Sequence, residues 1–161
     1  MLRTALREAK TVRKSSTTMT QLMMPTDAAP SGHVYGGTIL RLVDMVGAVV
    51  AYRHARRSVV TASIDRMDFY SPVRVGSLII LKSSVNYVGR TSMEIGVRIE
   101  AEDLRTGVVS HTGSSYLTFV ALDEKGKPTP TALLKPETKQ EKRRFQEARL
   151  RRRARMRIIG R

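Results

Sequence analysis

Between Gly36 and Ala55 the chain reads GGTILRLVDMVGAVVAYRHA, with apolar residues at 39, 42, 43, 46, 49 and 50. That three-and-four spacing predicts a helix buried round most of its girth. It opens at the glycines and runs to about His54, roughly 28 Å at 1.5 Å per residue. Further on, the period changes to two. SVVTASIDRMDF alternates and is rich in β-branched residues, and SPVRVGS follows as a Pro/Gly turn. LIILKSSVNYV, MEIGVRIEAEDL and VVSHTGSSYLTFVAL are three more strands, separated by the turns GRTS and RTG and closed by DEKGKP. Upstream, SSTTMTQLMM predicts a first strand ended by Pro25, and residues 1–14 read as a frayed or helical extension. One buried helix with about five long strands predicts an α+β fold, an antiparallel sheet wrapped round a single central helix. A doubly wound parallel sheet would need a helix between successive strands. The expected layout is a basic extension over 1–14, one domain over 15–134, and a basic C-terminal helix or tail over 135–161.

Charge changes this picture only at the ends. The 161 residues hold 29 Lys and Arg against 14 Asp and Glu, a net charge of +15. Residues 1–20 carry +4 of this and residues 135–161 carry +9, which leaves +2 for the middle. Strong basicity points to polyanions, but here it belongs to the tails, which are expected to be largely solvated. Tyr and Phe occupy only eight positions, mostly inside predicted strands, so the tails offer no stacking platform for bases. Salt-dependent, sequence-independent attraction is what remains, and specific nucleic-acid recognition is not expected. No cysteine is present, which excludes disulfides, thiolate metal sites and a Cys nucleophile. The three histidines, His33, His54 and His111, lack metal-ligand spacing, so no metal is expected. The N-terminus has no apolar core of a signal peptide and Arg41, Asp44 and Arg53 break up the helix, so a cytoplasmic protein without a membrane span is expected.

Candidate chemistry gathers before and within the helix. In PTDAAPSGHVYGG, Gly36 and Gly37 open the helix with free N–H groups at the positive end of its dipole. They serve either a tight turn or a developing oxyanion. Asp44 places a carboxylate in an otherwise apolar helix, where a buried acid needs a partner or a task. His33 is either a loop histidine or part of the site. His54 falls at the helix end, suited to capping carbonyls or meeting the dipole, and His111 has no catalytic neighbour in the sequence.

The segments GHVYGGTILRLVD, VVTASIDRMDFYSPVRVGS, VNYVGRTSMEIGVRIEAED and LTFVALDEKGKP, preceded by MMP, together resemble the acyl-CoA thioesterases of the acyl-CoA hydrolase family, which have the hotdog fold. The resemblance runs from about Met19 to Pro130. It implies hydrolysis of acyl-CoA to free CoA and a fatty acid, with CoA as part of the substrate and no separate cofactor. It also implies homodimers whose sheets join edge to edge, often as hexamers built from three dimers, with the site at the dimer interface. In such proteins the acid at Asp44 acts as general base on water or as nucleophile; general base is the role expected here. The Gly36/Gly37 turn would hold the thioester oxyanion. Gly89, Arg90, Thr91 and Ser92 would lie near the CoA phosphates, with cationic and hydroxyl groups suited to them. Many members carry Asn where this chain has Ala29. A methyl group neither holds water nor donates to an oxyanion, and loss of one such donor costs about 3–4 kcal/mol, roughly 100–1000-fold in rate. Ala29 therefore implies a replaced or engineered position, a weak enzyme using another group such as His33, or a non-catalytic module that binds acyl-CoA or polyanions.

Overall fold

The computed structural model describes residues 7–158 and Gly160. Its main sheet has five strands in the order β2-β4-β5-β6-β3, every neighbouring pair antiparallel. These are β2 (Thr17–Leu22), β3 (Ser58–Phe69), β4 (Leu78–Val88), β5 (Ser92–Asp103) and β6 (Val108–Leu122). Alternation supplies the inward residues Ile79, Leu81, Val85, Ile95, Val97, Leu117 and Phe119, all buried. The sheet wraps α1 (Gly36–Ala55), a 20-residue helix whose Ile39, Leu42, Val43, Val46, Val50 and Ala51 fill the core. Gly47 lets α1 sit directly on Phe119, since a Cβ there would come within 3.1 Å of the ring. Arg56 ends α1 in the left-handed region at φ 52°, its N–H donating to the Tyr52 carbonyl at 2.8 Å. The hotdog arrangement expected from the sequence is the one found.

Four details depart from the sequence expectation. Met45, Val49 and Tyr52 line one face of α1 and stay exposed, so the helix is buried on fewer sides than its composition suggests. Residues 9–14 are neither frayed nor helical in the α sense. Ala9–Thr11 form β1, which pairs in parallel with β7 (Leu133–Lys135), and a 3-10 turn follows over Val12–Lys14. Residues 1–6 of the expected extension lie outside the described residues. The third departure is the C-terminal segment: Lys139–Ile158 form α2, which packs on the outer face of the sheet rather than standing free in solvent. Phe145 stacks against Tyr87 with ring centroids 5.2 Å apart, and the Arg151 guanidinium lies 3.9 Å over the Tyr116 ring. Finally, β3 is irregular, with register breaks between Thr61 and Ser63 and between Ile64 and Arg66.

Candidate functional site

The loop from Met23 to Tyr35 delivers the chain to the start of α1. Met23 donates to the Ser77 carbonyl at 2.9 Å and Val34 to the Val73 carbonyl at 2.9 Å, which tie the loop to the approach to β4. Within it, the Ala29 N–H donates to the His33 carbonyl at 2.7 Å and Gly32 N–H to the Ala29 carbonyl at 2.9 Å, a reversal that uses φ +82° at Gly32. Ala29 and His33 are thus paired through backbone in one tight loop, with His33 also bridged to Arg74. The loop ends at Tyr35, whose carbonyl takes the N–H groups of Thr38 and Ile39. The N–H groups of Gly36 and Gly37, both exposed, donate to no protein group among the described residues. They form an open donor pair at the positive end of α1.

Asp44 lies two turns further along α1, half-buried rather than enclosed as its apolar surroundings imply. Its Oδ1 accepts a hydrogen bond from Thr61 Oγ1 at 2.7 Å. Thr61 belongs to β3, the strand at the sheet's edge, and this pairing fixes the direction of the carboxylate. Thr61 is not among the residues expected from the sequence. Its signal was a hydroxyl at an inward-facing position of a β-branched strand, in phase with buried Val59.

The remaining candidates lie elsewhere. The turn from Gly89 to Ser92 joins β4 to β5 and is closed by Gly89 N–H donating to the Ser92 carbonyl at 2.8 Å. Arg7 donates to the carbonyls of Gly89 at 3.0 Å and Arg90 at 2.9 Å. The turn sits at the sheet end where α1 finishes, far from Gly36. Ser92 pairs with Val120, which pairs with Val60 beside Thr61, so the turn is two strands from Thr61, about 10 Å. A cavity of about 640 Å³ opens at that end, lined in part by Arg7, Lys10, Arg56, Arg57 and Thr131, and it does not include Asp44. His54 is buried and does not cap the helix with its ring. Nε2 meets the Ala132 carbonyl at 3.1 Å and Nδ1 meets Ser15 Oγ at 3.4 Å. Burial chiefly holds its pKa below the ordinary 6.5, with Lys10 adding to the depression. His111 contacts the Gly113 carbonyl, Ser114 and the edge of Tyr70. Among the described residues no three His, Asp or Glu side chains are grouped to hold a metal ion, and no helix is long and apolar enough to cross a membrane.

The chain is similar to known proteins along most of its length. The thioesterase superfamily model matches residues 31–108. A Bacillus subtilis protein named an uncharacterized acyl-CoA thioester hydrolase is 37% identical over 134 residues, covering 83% of this chain and 78% of the relative. The crystal structure of an apo-hexameric acyl-CoA thioesterase superposes with a TM-score of 0.91 at 40% identity, covering 94% of this chain and 97% of that one. The Staphylococcus aureus acyl-CoA hydrolase, solved with butyryl coenzyme A, coenzyme A and coenzyme A disulfide, gives 0.87 at 34% identity with 94% of both chains covered. Variants of that enzyme with alanine in place of an asparagine, an aspartate and a threonine have the same fold. Sharing sequence, fold and most of its length with these proteins, the chain belongs to the acyl-CoA hydrolase family of hotdog-fold thioesterases.

Proposed function

We propose that the protein hydrolyses acyl-CoA thioesters to free CoA and a carboxylic acid, with Asp44 as general base and the Gly36/Gly37 N–H groups as oxyanion donors. The observation that carries this is the Thr61–Asp44 hydrogen bond of 2.7 Å on a helix whose first N–H groups are open. A second support is spacing. The asparagine, aspartate and threonine replaced in the S. aureus enzyme are 15 and 17 residues apart, the same intervals that separate Ala29, Asp44 and Thr61.

In this reading Thr61 donates to one oxygen of Asp44 and leaves the other to accept a proton from water. The water oxygen attacks the thioester carbon, and the carbonyl oxygen gains charge against the helix N-terminus. Collapse of the tetrahedral species expels CoA as its thiolate. Arg90, with Thr91 and Ser92, meets the phosphates of the CoA arm.

One protomer does not bring these parts together. Gly36 and Asp44 are eight residues apart on one helix, about 12 Å at 1.5 Å per residue, too far for one carbonyl and its attacking water. The site is completed by a second copy, with α1 of each protomer running beside α1 of the other in the opposite sense. The surface for this exists: Met45, Val49 and Tyr52 are exposed along α1, and Val60, Ile64 and Phe69 are exposed on the free edge strand β3. A symmetric dimer joined along β3 covers both, and assembly into hexamers follows the relatives.

Ala29 favours a weak enzyme, and a pure acyl-CoA-binding module is the other reading. Steady-state hydrolysis of an acyl-CoA panel separates them when run on this chain, Ala29→Asn and Asp44→Asn. Turnover that rises with Ala29→Asn and vanishes with Asp44→Asn is expected. Binding by all three without turnover would establish the module instead.

A further inference from the structure

We propose that Asp65 and Arg155 form a positioning pair for Thr61, so that the C-terminal helix sets the geometry of a carboxylate it does not touch. This rests on the role of Asp44 proposed above.

β3 breaks register with β6 twice. Pairing with β6 is regular from Ser58 to Thr61, then slips past Ala62, resumes at Ser63 and slips again past Asp65. Side chains alternate faces with a period of two, so each extra residue exchanges the faces of what lies beyond it. Thr61 is the last residue before the first slip. Were the extra residue to move one place towards the N-terminus, Thr61 would turn to the outer face and lose Asp44. Within the protomer β3 pairs only with β6, and the two slips leave Ala62 and Asp65 out of that ladder, so backbone pairing with β6 holds this segment weakly.

Side chains supply what the ladder lacks, and they converge on Asp65. Ser63 Oγ donates to Asp65 Oδ1 at 2.6 Å, closing a loop between the two slips. Thr118 Oγ1 on β6 donates to Asp65 Oδ2 at 3.0 Å. Arg155 of α2 donates to the same oxygen, and its Nη1 also donates to Thr118 Oγ1 at 2.7 Å. Just beyond, Ser115 Oγ on β6 donates to the Arg66 carbonyl at 2.9 Å. The side chains of Asp65 and Arg155 are only 19% and 23% exposed, so solvent screens their attraction less than at an open surface. Asp65 is thus the one acceptor that ties both slips to β6 and to α2. Among the described residues Arg155 is its only cationic partner in a charge pair.

The test measures kcat and KM for butyryl-CoA in Asp65→Asn, Arg155→Met and Arg155→Lys, each alone and combined with Thr61→Ala. Amide hydrogen exchange over 61–66 is followed in parallel. Asp65→Asn is expected to lower kcat by about tenfold with KM unchanged, short of the roughly 100-fold that a 1 Å misplacement costs. It adds nothing further once Thr61 is alanine, because both changes remove one interaction. Arg155→Lys keeps most of the rate that Arg155→Met loses. An unchanged kcat in Asp65→Asn, or a tenfold loss that persists in full beside Thr61→Ala, would overturn the pair's role. Exchange decides independently of catalysis. Faster exchange over 61–66 in Asp65→Asn supports the positioning even if the parent chain hydrolyses nothing, an outcome that would sink only the proposed activity. Unchanged protection would sink the positioning itself.

Discussion

The two helices are equal in length, 20 residues each, and are held by opposite means. α1 buries five large or branched apolar side chains, two alanines and one ring-packed glycine beneath the sheet, at about 1.5–3 kcal/mol for each Val, Leu or Ile. α2 buries only Ala148 completely. Its hold on the opposite face is polar: Arg151 makes two hydrogen bonds to buried Glu94, at 2.7 and 3.2 Å, and Arg155 pairs with Asp65. Apolar burial is undirected and fixes where α1 lies. Charge pairs have geometry and fix which residue of α2 meets which residue of the sheet. The helix that carries the carboxylate is therefore placed by packing, and the strand that carries its hydrogen-bond donor is registered by charge.

The largest effects belong to α1 as a chemical element. Gly36→Pro removes one oxyanion donor and is compatible with the backbone, since Tyr35 before it is already extended at ψ 134°. It is expected to lower kcat by about 100-fold with little change in thermal midpoint. Asp44→Asn lowers it at least as far. Mixing the two inactive variants and allowing subunits to exchange restores activity, because the proposed dimer then contains one site with both intact halves. No recovery on mixing would place both groups in one protomer and break the antiparallel arrangement of α1.

For α2 the expected effect is on stability. Arg151→Met leaves Glu94 at 4% exposure with only Asn86 at 3.3 Å as a partner. Stranding a buried charge in this way costs about 3 kcal/mol, readable as a fall in the urea midpoint. Replacing Glu94 and Arg151 together with apolar residues recovers much of the loss. If the double replacement is as unstable as Arg151→Met, the pair contributes more than the removal of a stranded charge.

The same contrast marks what was legible in the sequence. α1 and four of the long strands follow from local periodicity and their Gly and Pro turns, and their ends agree with the structure to within a residue or two. Asp44 stands out because an acid on an apolar helix is locally anomalous. The docking of α2 is not local: KRRFQEARLRRRARMR looks like a solvated helix until Glu94 and Asp65, on two distant strands, supply partners for two of its arginines. β1 is three residues long and pairs with residues more than 120 positions away. Thr61 escapes for a similar reason, since one threonine in a β-branched run is ordinary until the fold brings it against Asp44.

Packing around α1 gives a smaller and more finely balanced effect. Gly47→Ala gains about 1 kcal/mol of helix propensity. The new methyl group would sit 3.1 Å from Cε2 and 3.3 Å from Cζ of Phe119, which is 1% exposed and has nowhere to go. Overpacking of this kind costs about 1–3 kcal/mol. A net loss near 1 kcal/mol in the urea midpoint is expected, and a net gain would mean that the sheet yields more readily than its burial implies.

The smallest effect is expected at the polar anchor of α1, and it appears as a pH dependence. His54 is buried and neutral, with Nε2 donating to the Ala132 carbonyl and Nδ1 accepting from Ser15. Its folded pKa lies below 6.5, so in the window between the two values the unfolded chain binds the proton first. The stability it contributes is therefore complete above about pH 6.5 and declines as the pH falls from there through the lower folded value. One proton limits the slope to about 1.4 kcal/mol per pH unit. Glu100, held below its ordinary value by Arg98 and Lys82, acts only below about pH 4.5 and leaves that window clear. Urea midpoints between pH 7.5 and 5 should fall for the parent chain and stay nearly level for His54→Gln, which starts lower because its cavity fits less well. If both lines fall in parallel, His54 is not the source of the acid sensitivity, and the polar anchor of α1 holds the helix equally well whether or not its imidazole can take a proton.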